Sequence, residues 1–263
     1  MRVEYLGTAF CGWQAQPQLP QLRTVQGEIE RALARVANHT VTVHCAGRTD
    51  TGVHAIAQWL HFDAPVERSL KAWVVGGNAQ LPPTIRLADA RSVPAEFHAR
   101  HSATARQYDY LISNTATATA LLADRALWVR EHLDAARMHA ALQLLGGERD
   151  FSAFRAASCQ SRTPMRFLEF ASVSRHGSLI RLRVVANAFL HNMVRNIVGS
   201  ALEVGLGREP EDWLGMLLAG RDRTRAAATA AAHGLYLTGV RYPDRFLIPD
   251  APPLPFFPVA AQD

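Results

Sequence analysis

The 263-residue chain is longer than an average domain, so two related subdomains and one large α/β unit both fit its length, and either could bury a full core. Its 48% hydrophobic and 19% charged residues describe a soluble globular protein; MRVEYLG at the N-terminus lacks a signal-peptide core and no run of eighteen apolar residues occurs, which speaks against export and membrane insertion and for a cytoplasmic location. The formal net charge is +5 and Lys71 is the only lysine. Arginine's planar fork suits phosphate oxygens and base faces in a way an ammonium does not.

In chain order, Arg2 to Leu6 reads as a short strand, followed by an aromatic loop from Gly7 to Gln16 containing Phe10 and Trp13. Val25, Ile29, Leu33 and Val36 recur at helical spacing, which predicts an amphipathic helix over 24–38 lying on a sheet. Val41, Val43 and Cys45 alternate with Thr42, His44 and Ala46 at a period of two, the mark of a strand that Gly47 ends; a second strand covers 55–62. A helix over 69–76 leads to the loop Asn78-Ala-Gln-Leu-Pro-Pro, and 85–93 and 106–113 are further strands, the latter with Tyr108 and Tyr110 on one face. Met138, Ala141, Leu142 and Leu145 mark a helix from Asp134 that stops at Gly146-Gly147. Strands over 166–175 and 179–187 flank a hairpin turn at His176-Gly177. A helix over 189–204 buries Leu190, Val194, Ile197, Ala201 and Val204 and carries Arg195 on its less apolar side. Pro210 opens a helix ending near Gly220, a last strand covers 235–242, and a proline-rich tail follows as an extended, loosely held arm. Helices packed on hairpin-like strands in each half predict an α+β protein with mostly antiparallel strands.

Gly47-Arg48-Thr49-Asp50-Thr51-Gly52 is the stretch on which a function can turn. Asp50 sits in a tight loop between two strands, where a rigid scaffold fixes a side chain and leaves it reachable. Asp beside Gly is also a common turn former, so the local pattern fits a structural and a catalytic Asp50 alike. The stretch 151–195 holds seven arginines (155, 162, 166, 175, 181, 183 and 195) against one acid, Glu169, a surplus larger than that of the whole chain. Interleaved with Phe151, Phe154, Phe167, Phe170 and Phe189, these arginines suit a nucleic-acid groove, with most of the phenylalanines assigned to the core. Cys11, Cys45 and Cys159 have no Cys-x-x-Cys spacing, and burial is expected for all three. His98 and His101 lack a third ligand at suitable spacing, so no metal is expected; no Gly-rich phosphate loop is present, so ATP and NAD are not expected either.

The loop Gly47-Arg48-Thr49-Asp50-Thr51-Gly52-Val53-His54-Ala55 resembles the signature of the TruA family of tRNA pseudouridine synthases. Phe97-His-Ala-Arg100, Ala105-Arg-Gln-Tyr108-Asp-Tyr110, Asp150-Phe-Ser-Ala-Phe154, Phe189-Leu-His-Asn-Met-Val-Arg195-Asn and His233-Gly-Leu235-Tyr-Leu match further blocks of that family in the same order, from Tyr5 to about Arg245. Thr51 stands where alanine is more usual, and Asn192 where some members carry histidine. The resemblance implies two related ferredoxin-like α/β subdomains joined around a central cleft: 1–104 with the catalytic loop, 105–246, and then 247–263 as the tail. It further implies a cofactor-free isomerisation of uridine to pseudouridine at positions 38, 39 and 40 of the tRNA anticodon stem-loop, by a homodimer that grips one tRNA. By resemblance Asp50 is the nucleophile, with attack on ribose C1′ and on uracil C6 both open, and Arg195 is its ion-pair partner. Arg48 then displaces the base and contacts the RNA backbone, Tyr108 packs on the flipped uracil and is a candidate to move the C5 proton, and Leu235 closes the apolar side of the pocket.

Two other readings carry distinct expectations. Asp50-Thr51-Gly52 matches the Asp-Thr-Gly of aspartic proteases, although Arg48 and Thr49 precede it where those motifs follow an apolar strand, and a second copy would have to come from another chain. A non-catalytic RNA-binding module would need the basic stretch alone.

Overall fold

A computed structural model describes residues 1–19, 21–250 and 252–255. Among these residues the chain forms ten strands, β1 (Arg2–Tyr5), β2 (His44–Cys45), β3 (His54–His61), β4 (Ile85–Asp89), β5 (Ala105–Asn114), β6 (Leu127–Val129), β7 (Gly147–Asp150), β8 (Met165–His176), β9 (Leu179–Ala186) and β10 (Leu235–Arg241). Five α-helices accompany them, α1 (Val25–Ala37), α2 (Leu70–Gln80), α3 (Ala135–Gln143), α4 (Met193–Gly205) and α5 (Trp213–Gly220). None of these helices is long and apolar enough to cross a membrane. The architecture is mixed α/β with mostly antiparallel pairing.

By contact, the chain divides into two compact units, Met1–Thr104 with Tyr236–Leu254, and Ala105–Leu235. In the first, β1 lies between β4 and β3, antiparallel to both, and β10 runs parallel to β3 with Tyr236 opposite His54 and Leu237 opposite Ala55. Contact grouping thus puts most of β10 with the first unit, although it follows the second in sequence; a parallel partner for β3 from so distant a part of the chain is announced by no local pattern. Thr24 caps α1 by accepting from the Gly27 amide, and Asn38 ends it in the left-handed conformation. Ile29, Leu33, Val3, Ile85 and Leu87 are buried in this unit's core.

The second unit has the antiparallel order β5-β9-β8-β7, with β6 parallel to β5. The β8–β9 hairpin turns at Gly177-Ser178 between paired His176 and Leu179. Asp134 caps α3 by accepting from the Ala136 and Arg137 amides, and α3 packs on β8 and α4. Met138, Leu142, Leu182, Val184 and Ile197 are fully buried.

Several elements depart from their sequence patterns for tertiary reasons. The alternation over 41–46 survives as burial, with Val41 and Val43 inside, but only His44 and Cys45 join a ladder. The Val43 amide instead donates to Glu30 of α1 at 3.0 Å. Helix α2 continues past Gly76 to Gln80 because Asn78 uses its side chain to pair with the Leu87 backbone, donating to O and accepting from N at 2.9 Å each. Helix α4 starts four residues after Phe189, since Asn192 has φ 59° and cannot continue a helical turn. Strands β6 and β7 have no counterpart among the predicted elements; β6 is three residues long and β7 four. In the described part of the tail Leu254 is buried and Leu247 exposed, while 251 and 256–263 lie outside the described residues.

Candidate active site

Between β2 and β3 the loop around Asp50 is held from several sides. Gln58, a fully buried polar residue in the middle of apolar β3, brackets Gly47: its Nε2 donates to Gly47 O at 2.5 Å and its Oε1 accepts from Gly47 N at 3.3 Å. The same Nε2 lies 3.4 Å from the Tyr5 hydroxyl, which in turn shares a 2.8 Å hydrogen bond with Thr49 Oγ1. Trp13 N donates to Thr49 O at 3.0 Å, and Val53 N to Asp50 O at 3.1 Å, closing the turn. Below the loop, His54 accepts from Gly7 N at 3.0 Å and stacks on Tyr236 at 4.6 Å. Gly52 has φ +82°. Gly12 has φ +78° and lies so close that a Cβ there would sit 2.9 Å from Thr49 O and 3.3 Å from Asp50 C.

The consequence is a rigid ring of backbone with a partly exposed carboxylate at its tip. Thr49 is buried, Asp50 half-buried and Arg48 exposed. Burial pushes the nearby Cys45 thiol up to about 12, so it is not a competing nucleophile at neutral pH.

The other candidates belong to the second unit. Tyr108, on β5, is buried and meets Phe189 edge to face at 5.1 Å. Arg195, on the first turns of α4, donates from Nε to Ala230 O at 2.7 Å and from Nη1 to Asn192 Oδ1 at 3.1 Å. Leu235 is buried at the start of β10, beside Gly234, where a Cβ would strike the Tyr110 ring at 2.6 Å. Tyr110 donates to Ala231 O at 2.8 Å, and its phenol is held above the usual range chiefly by burial, with Arg195 acting in the opposite direction. Within this unit, then, Arg195 is brought onto the segment 226–231 that leads to Leu235.

Several arginines of the basic stretch also serve the structure of this unit. Arg183 forms a bidentate pair with fully buried Asp109 at 2.7 and 2.9 Å. Arg175 donates to Asn114 and Leu133 O, Arg166 to Thr163 O and Ser161 Oγ, and Arg155 to Cys159 O and Ser161 O. Arg162 is exposed. Phe151 and Phe154 are core residues, whereas Phe167 and Phe170 are exposed. The three cysteines are unpaired and half-buried rather than buried.

A family model described as tRNA pseudouridine synthase matches residues 1–102 and 141–243. The chain belongs to the tRNA pseudouridine synthase family. Among its relatives, tRNA pseudouridine synthase A of Escherichia fergusonii is 51% identical over 255 residues, covering 97% of this chain and 93% of that protein. The proteins of the same name from Salmonella paratyphi B and Salmonella newport match with the same identity and coverage. A solved structure titled "Crystal Structure of a Cbf5-Nop10-Gar1 Complex" is similar over 91% of this chain and 58% of that one, at TM-score 0.32 and 12% identity, a likeness too slight to argue from.

As a member of the tRNA pseudouridine synthase family the chain is an isomerase. The protease reading of Asp50-Thr51-Gly52 and the non-catalytic module are thereby overturned. The sequence patterns did not pick out Gln58, Tyr5 or Trp13 as supports of the loop. One signal was present: Gln58 is a lone amide inside the run His54-Ala-Ile-Ala-Gln-Trp-Leu, and a buried amide must find partners.

Proposed function

We propose that the enzyme converts uridines 38, 39 and 40 of the tRNA anticodon stem-loop to pseudouridine, with Asp50 as nucleophile. In the reaction the N1–C1′ bond breaks, the uracil turns, a C5–C1′ bond forms, and the C5 proton is lost as N1 gains one. Electrons balance without a cofactor. The observation that carries the reading is the placement of Asp50: a half-buried carboxylate on a loop whose backbone is fixed by Gln58, Tyr5 and Trp13, as a reacting group requires.

In this reading Arg195 is the cation paired with the carboxylate, which favours the ionised and therefore nucleophilic form. Its guanidinium is already oriented by Ala230 and Asn192. Arg48, exposed on the same loop as Asp50, displaces the base and contacts the RNA backbone. Leaving the stack costs the uracil a few kcal/mol. Tyr108, which meets Phe189 edge to face, recovers about 1 to 3 kcal/mol by stacking on the base and takes the C5 proton in this reading, while Leu235 forms the apolar wall. The two units would be related ferredoxin-like subdomains around a central cleft, and the enzyme a cytoplasmic homodimer, because a folded tRNA is large relative to one chain and a doubled surface adds phosphate contacts.

Carbodiimide mapping of pseudouridine on a tRNA transcript with uridine at 38, 39 and 40 tests the reading. Stops at these positions after incubation with the enzyme, and none with Asp50→Ala, are expected. Modification confined to another arm of the tRNA would refute the site assignment.

A further inference from the structure

Arg195 owes its orientation to a segment with little apolar mass of its own. Residues 226–231 read Ala-Ala-Ala-Thr-Ala-Ala and contain no strand or helix, yet Ala230 O accepts from Arg195 Nε at 2.7 Å and Ala230 N donates to Arg195 O at 3.1 Å. Six residues that bury so few methylenes gain too little from packing to offset the entropy of ordering them. Hydrogen bonds must therefore hold the segment.

Asn196, the residue after Arg195, supplies the central ones. Its side chain is fully buried, and both its amide nitrogen and its amide oxygen are hydrogen-bonded. Nδ2 donates to Phe154 O at 2.8 Å; Oδ1 accepts from Thr229 Oγ1 at 2.7 Å and from Arg223 Nη2 at 3.1 Å. Arg223 extends the clasp to Thr229 Oγ1 and to Ala226 O, each at 3.2 Å. One turn on, Gly199 presents bare backbone to the Ala228 carbonyl, which any Cβ at 199 would strike. At the far end, Tyr110 holds Ala231 O. The segment is thus fixed at 226, 229 and 231 while the carbonyl between the last two aims Arg195.

We propose that Asn196 is a positioning residue for Arg195: its amide clasps Thr229 and Arg223 so that Ala230 holds the guanidinium in its working orientation. The proposal rests on the reading of Arg195 as the partner of the nucleophile. An unclasped segment would let Ala230 O drift, and the guanidinium would lose its 2.7 Å anchor without losing its charge. Turnover would then fall while tRNA affinity, spread over many contacts, would hold.

The test measures kcat and tRNA Kd for Asn196→Ala, Thr229→Val, Arg195→Ala and the double variant Asn196→Ala/Arg195→Ala, with hydrogen exchange of 226–231 in each. Thr229→Val removes the 2.7 Å bond without opening a cavity and covers the case in which Asn196→Ala folds poorly. Faster exchange in 226–231, a loss in kcat of about tenfold or more for Asn196→Ala and a smaller loss for Thr229→Val are expected, with Kd within twofold. The double variant should be no worse than Arg195→Ala alone, because residues acting through one another are not additive. Normal turnover in Asn196→Ala and Thr229→Val despite a loosened segment, or a full further loss in the double variant, would overturn the proposal by itself. Full turnover in Arg195→Ala would overturn it together with the role assigned to Arg195.

Discussion

Replacing Gly12 by alanine perturbs the Asp50 loop without touching a reacting group. Gly12 has φ +78°, a left-handed conformation that costs an alanine about 1–2 kcal/mol. The new Cβ would stand 2.9 Å from Thr49 O, 3.2 Å from Thr51 N and 3.3 Å from Asp50 C, all backbone atoms with no rotamer through which to yield. Restoring ordinary contact moves the loop by about 0.5 Å, which is the tolerance within which a catalytic group has to be held. Since a 1 Å misplacement can cost about 10²-fold, a fall in kcat on the order of tenfold is expected, alongside the loss in stability. Initial rates of pseudouridine formation under saturating tRNA give kcat, filter binding gives Kd, and thermal unfolding gives the strain. A lowered melting temperature with kcat within twofold of the parent would show that the loop's position is not what catalysis depends on.

Two further outcomes concern groups to which the proposed chemistry assigns no part. Arg183→Met leaves the fully buried Asp109 carboxylate without its bidentate partner, and denaturant unfolding should report a loss of about 3–5 kcal/mol; Arg183→Met with Asp109→Leu should recover much of it, and equal losses in single and double variants would contradict this view of the pair. His61 lies among His44, His98 and His101, its ring 4.5 Å from that of His98. Burial first, then the neighbouring histidines, lowers its pKa from 6.5 to about 4, and His98 is shifted in the same direction by burial and His101. A folded-state value below the unfolded one means that the unfolded chain binds more protons below pH 6.5, so stability is whole above that pH and is lost as pH falls towards 4. The melting temperature should fall from pH 7 to pH 5, and His61→Gln should flatten the fall; parallel curves for the two proteins would contradict the assignment.

What could be read from the chain was whatever short-range chemistry decides. Thr24 and Asn38 bound α1 because a cap hydroxyl and a left-handed asparagine act on their own turn, and Gly177 turns the β8–β9 hairpin for equally local reasons. The Asp50 loop was visible for the same reason, as glycine-flanked polar residues between two apolar runs. What could not be read depended on partners distant in sequence. The backbone of Val43 goes to Glu30, the amide of Asn78 to Leu87, and β10 to β3, whose His54 stands 182 residues before its partner Tyr236. The count of seven arginines within 151–195 likewise did not show that Asp109, Leu133 O, Thr163 O and Cys159 O take up some of their donors.

Tritium release from tRNA labelled at uracil C5 bears on the nucleophile itself, because the label leaves only when C5 forms its bond to C1′. The wild-type chain should release tritium, and Asp50→Ala should release none while retaining most of its tRNA affinity. Release by Asp50→Ala at a rate near that of the wild type would remove Asp50 from the chemistry.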